Sequence, residues 1–175
     1  MVVLTVSTAK GEVIMMEYSD SLRSAFGIVS KYDPALYQRM NASDWKVGLR
    51  FGVLAQYYPD GSDVGAEERE SAAESFGTTQ ANLSDRTGVP GNPPETYMNM
   101  PLIREWSVQH GVPADYFTAA VLAHEFRHTS QNYAALRAEK EAFPFGARFA
   151  AKLPPQYGEP IVRESREDLW QIEHQ

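Results

Sequence analysis

The sequence predicts an α+β fold: a small twisted sheet packed on a central helix, with a second helix following it. Two observations carry this reading. In "WKVGLRFGV", Trp45, Val47, Leu49, Phe51 and Val53 alternate with Lys46 and Arg50, which is the period of a half-buried strand. In "ADYFTAAVLAHEFRHTSQ", residues 114–131, apolar side chains surround most of a helix, which is the pattern of a buried central element. A chain of 175 residues can bury one core, so residues 1–175 are read as a single domain.

Taken in order, "VVLTVS" and "VIMMEY" flank "AKGE" and read as a hairpin. "SDSLRSAFGIVSKY" carries Leu22, Phe26 and Val29 at helical spacing, with Ser19 or Asp20 as N-cap. "DPALYQRM" starts a helix, with Asp33 as N-cap and Pro34 at the first helical position. After the alternating strand, a polar loop leads to a short helix from about Glu67 to Ser75, and "TTQANL" reads as a strand. "SDRTGVPGNPPE" is rich in Gly and Pro and reads as a surface loop. "TYMNMPLI" reads as a strand, and Pro101, which cannot donate to a ladder, places it at an edge. His110 falls in the loop before the central helix. Beyond that helix, "LRAEKEA" and "GARFAAKL" are helical around Pro144, which should kink or restart the helix. "IVRESREDLWQIEH" reads as a terminal helix with a solvated face and with Leu169 and Trp170 turned inward.

Composition narrows the function. A net charge of −7 argues against a general phosphate-binding surface and against a nucleic-acid partner. The absence of cysteine excludes disulfides, thiolate catalysis and cysteine metal ligands. A transition-metal site must therefore use His, Asp or Glu. Lys10 and a Gly-Glu pair interrupt the apolar N-terminus, so no secretory signal or membrane partner is expected, and a cytoplasmic location is the default.

The chain has four histidines, and two of them lie four residues apart around a glutamate in "VLAHEFRHTSQN". At about 100° per residue, His124 and His128 share one helix face, a turn apart. Buried imidazoles need partners, because an unpaired buried polar group costs on the order of a few kcal/mol. A divalent ion satisfies both, and neutral imidazole is the usual nitrogen ligand of zinc. Glu125 reaches the attacking water instead of the metal and takes its proton as general base. This is the HExxH arrangement. Gln131 lies on the same face and reads as a support for the ligands.

Catalytic zinc usually has three protein ligands and one open position. Glu139 follows His128 by eleven residues. Along one straight helix that spacing is about 16 Å, too far to share an ion. A turn near Asn132 to Ala135 would fold the second helix back and bring Glu139 to the histidines. Glu141 is the second candidate.

"HEFRH" followed by "EKEA" on the next helix resembles the gluzincin metallopeptidases, in particular their small bacterial members. The resemblance covers about residues 95 to 152 and implies a zincin-like fold, zinc as cofactor and a peptide or protein substrate. It also implies His124, His128 and Glu139 as ligands, with Glu125 as base. Phe143 departs from the family, standing where many members have an acid that supports the site. Members bind substrate along an edge strand before the HExxH helix, a place held here by "ETYMNMPLI". Tyr97 and Asn99 are the substrate-binding candidates it implies. An oxyanion also needs a stabiliser; Tyr157 and His174 are candidates. The competing readings are a non-catalytic metal-binding domain on the same fold and a protein-interaction domain without metal.

Overall fold

The computed structural model describes residues 9–43, 45, 49–51, 75–80, 95–131 and 135–174. Among them, helices dominate: α1 (Ala9–Tyr32), α2 (Pro34–Ala42), α3 (Met100–His110), α4 (Ala114–His128), α5 (Ala135–Ala150) and α6 (Pro155–Glu173). The strands are β1 (Leu49–Phe51), β2 (Gly77–Gln80) and β3 (Glu95–Met98). They form a three-stranded sheet in the order β1-β3-β2. β1 runs parallel to β3 with Leu49 opposite Thr96, and β2 runs antiparallel to β3 with Thr79 opposite Thr96.

α4 is the inner element. Every residue from Phe117 to Ala123 is buried, as are Glu125, Phe126 and His128. A helix apolar on all sides belongs at the centre of a core, and α1, α3, α5, α6 and β2 all pack on it. Small side chains set how closely they approach. Ala120 and His124 of α4 face Gly146 of α5, where an added Cβ would stand 3.2 Å from His124 Cβ. Trp45 is fully buried and tilts against Phe126 of α4, ring centroids 5.3 Å apart. Each large apolar side chain buried in this way stabilises the fold by roughly 1.5–3 kcal/mol.

The Asp33 cap forms as the residues imply. Its side chain accepts from the Leu36 amide at 3.1 Å, with Pro34 at the helix start. Its other oxygen accepts from Lys152 at 2.6 Å, tying α2 to the segment after α5. Among the described residues, no helix is long and apolar enough to cross a membrane.

Several expectations are corrected. "VIMMEY" is not a strand: residues 13–18 lie inside α1, and so do Ser19 and Asp20, which are not caps. Four consecutive apolar residues carry no alternation, and Met and Glu are good helix formers. "VVLTVS", the 67–74 part of the expected short helix and most of the Gly/Pro-rich loop lie outside the described residues. Of the alternating stretch, Leu49–Phe51 is extended as expected, and residues 46–48 and 52–53 lie outside the described residues. β3 ends at Met98, and "TYMNMPLI" does not continue as a strand. Asn99 caps α3 by accepting from the Leu102 amide at 3.4 Å, and Pro101 lies in the first turn, where its missing N–H is not needed. β3 is also no edge: it has a partner on each side. His110 is the last residue of α3 and not a loop residue; its ring stacks on Trp106 at 4.2 Å. α5 runs through Pro144 without interruption. α6 starts at Pro155, six residues before "IVRES". Trp170 faces outward, 59 % exposed, because it lies about 180° around the helix from buried Ile161.

Candidate metal centre

α4 and α5 bring the candidate ligands together. His124 Nε2 and His128 Nε2 lie 3.1 Å apart. Glu139 enters from α5, with Oε2 3.1 Å from His124 Nε2 and Oε1 3.3 Å from His128 Nε2. The turn between the helices, residues 132–134, lies outside the described residues. Its closure is visible from both sides: Gln131 Nε2 donates to the Ala138 carbonyl at 3.0 Å.

That bond also settles the chemistry of His128. With its amide nitrogen spent on Ala138, Gln131 turns Oε1 to His128 Nδ1 at 2.7 Å. An amide oxygen only accepts, so Nδ1 carries a proton. In the neutral ring Nε2 then presents a lone pair to the point where His124 and Glu139 converge. His124 is held differently. Among the described residues its Nδ1 makes no hydrogen bond; the Phe143 ring stands edge-on to it, with centroids 4.6 Å apart. Packing by Phe143, which departs from the acid of many gluzincins, holds this imidazole.

The donor set fits an ion. Tetrahedral ligands at about 2.0–2.1 Å from zinc stand about 3.3 Å from one another, and the three nitrogen–nitrogen and nitrogen–oxygen separations are 3.1, 3.1 and 3.3 Å. Donor atoms of His124, Glu125 and His128 also lie within 4.8 Å of one another. Glu139 is better placed than Glu125 as a third donor, because both its oxygens face the imidazoles while one Glu125 oxygen is held by Thr79 Oγ1 at 2.6 Å. Glu141 is turned away and accepts from Arg127 at 2.5 Å.

Electrostatics follow the geometry. Burial lowers the His128 pKa, but its bond to Glu139 and the charge of Glu125 win and carry it up to about 9. Burial raises Glu139, and its bonds to His124 and His128 outweigh that, bringing it to about 2. Burial pushes Glu125 upward, against the pull of both histidines and the Thr79 hydroxyl.

A cavity of about 360 Å³ opens on this cluster, lined by Gly77, His124, Glu125, Glu139, Glu164 and Asp168 among others. Glu164 and Asp168 were expected on a solvated face. They lie on the α6 stripe that holds Ile161 and Ile172, at i, i+4 spacing, which was the available signal. Burial, with Glu164 beside it, raises Asp168 to about 6. Thr79 had no signal in the sequence, since its partner is in a distant helix.

The remaining candidates are not brought to the site. Tyr97 is buried in the middle strand and Asn99 is occupied as a helix cap, and neither lines the cavity. Their substrate role rested on an edge that β3 does not have. Tyr157 lies in the first turn of α6 and packs on Tyr116, with centroids 4.7 Å apart. Tyr116 is eight residues before His124, about 12 Å along the helix, and Tyr157 does not line the cavity. His174 is exposed, stacked on Trp170 and bonded to its carbonyl at 2.8 Å.

No family model matches the chain, and no match is found among curated proteins or solved structures.

Proposed function

We infer that this chain is a zinc-dependent hydrolase of peptide bonds, a metallopeptidase of gluzincin type on a zincin-like fold. One observation supports this above the rest. Three convergent donors, from His124, His128 and Glu139, stand 3.1 to 3.3 Å apart beside a buried carboxylate that is not one of them. Zinc bound by these donors supplies Lewis-acid polarisation of a carbonyl and lowers the pKa of a water to about 7. Glu125 takes the proton of the attacking water and delivers it to the leaving amine. Gln131 keeps His128 in the tautomer that ligation needs. The strand suited to an extended peptide is β2, whose first residue Gly77 lines the cavity together with the preceding Phe76. Among the described residues β2 pairs only with β3, and main-chain hydrogen bonds to substrate would form on its other side.

Purified wild type and Glu125→Ala, both loaded with zinc, test this against an unfolded protein. The wild type should cleave it, and the variant should be slower by about 10²–10⁴-fold. Equal rates would remove Glu125 from the role of base. One observation favours a second reading, a binding domain without metal: Glu139 already pairs with both imidazoles. Elemental analysis separates the two, since that domain would retain no ion.

A further inference from the structure

Glu125 is 3 % exposed, and its side chain lies against β2. Residues two apart in a strand share a face, so Gly77 and Thr79 both present themselves to it. Gly77 leaves the room: a Cβ there would stand 2.6 Å from Glu125 Oε1. Thr79 supplies the bond, with Oγ1 donating to Glu125 Oε2 at 2.6 Å. The chain of bonds continues inward. Thr79 and Thr96 are cross-strand partners with hydroxyl oxygens 2.6 Å apart. Trp45 Nε1 donates to Thr96 Oγ1 at 2.7 Å, and both residues are fully buried.

The ends of this chain set its direction. An indole N–H can only donate, and an ionised carboxylate can only accept. Each hydroxyl between them has one proton. With Glu125 ionised, Trp45 donates to Thr96, Thr96 to Thr79, and Thr79 to Glu125. Connected hydrogen bonds in a dry interior polarise and rigidify one another.

We propose that Thr79, backed by Thr96 and Trp45 and given space by Gly77, is a positioning residue for Glu125. It holds one carboxylate oxygen and leaves the other for the reacting water. The catalytic consequence rests on the hydrolase reading; the relay itself does not.

Two readouts test it. In zinc-loaded protein acting on an unfolded protein substrate, Thr79→Val keeps the side-chain shape and deletes the hydroxyl. It should lower kcat about 10–100-fold with KM and zinc content unchanged. Thr79→Ser, which restores the hydroxyl, should recover most of that loss, which a purely structural threonine would not require. A Thr79→Val enzyme with wild-type kcat would overturn the proposal. The second readout needs neither metal nor activity. The chain has three tryptophans, so their indole protons can be followed singly by NMR. Thr79→Val and Glu125→Gln should each shift the Trp45 indole resonance while those of Trp106 and Trp170 stay in place. If the wild type hydrolyses nothing, the hydrolase reading fails and the relay is judged on this resonance: movement supports it and a still peak overturns it.

Discussion

The proton on His128 Nδ1 governs what the opposite nitrogen can bind, and Gln131 is the group that holds it there. Gln131→Leu removes the acceptor and frees the tautomer. Zinc affinity, measured by competition with a chelator, should fall about 10–100-fold, while the helical content stays the same. Unchanged affinity would reduce Gln131 to a closure of the turn. Asp168 offers a test of the cavity's electrostatics. Burial, then Glu164, raise its pKa from 3.8 to about 6, so its charged form is disfavoured in the folded chain. The sign follows: the cost is absent below pH 3.8, grows between 3.8 and about 6, and is complete above that. Metal-free Asp168→Asn should therefore be more stable than wild type at pH 7.5, by about 1 kcal/mol after solvent screening, or about 2–4 °C in Tm. At pH 3.5 the two should melt together. A difference of the same size at both pH values would assign the effect to packing.

At the scale of elements, Asp33 joins the start of α2 to the end of α5. Burial raises its pKa, but the Lys152 ammonium and the Leu36 amide outweigh that and leave it lowered. The stabilisation is therefore present above the unfolded value of 3.8 and is lost as pH falls through the folded value. Asp33→Ala should cost about 1 kcal/mol at pH 7, and the gap between the thermal midpoints should close in acid. A gap that persists there would point to something other than the carboxylate. This cap was legible because Asp33 and Pro34 stand next to each other at the helix start. Asn99 and Pro101 carry nearly the same signal at the start of α3. The apolar residues around them favoured a strand, and the cap was missed. The acids of α6 were misread for another reason. Glu164 and Asp168 at i, i+4 spacing look the same on a wet face and on a cavity wall; only the packing of α6 on α5 and α4 decides between them.

For the whole molecule, the candidate metal cluster was legible where its parts are local. His124, Glu125 and His128 belong to one helix, and Glu139 follows on the next, so a single reversal of the chain assembles them. What surrounds Glu125 comes from far away. Thr79 is separated from it by 46 residues, and Trp45 from Thr96 by 51, and no periodicity reports such pairings. The same distance in sequence concealed that β3 lies between β1 and β2. The position of a motif along the chain did not reveal which strand lies in the middle of the sheet. The most direct measurement is a crystal structure of the protein after loading with zinc, with anomalous scattering to locate the ion. The expected result is a zinc ion held by Nε2 of His124, Nε2 of His128 and the Glu139 carboxylate at about 2.0–2.1 Å, with one position open. Zinc bound elsewhere, or a Glu139 carboxylate left outside its coordination, would contradict it.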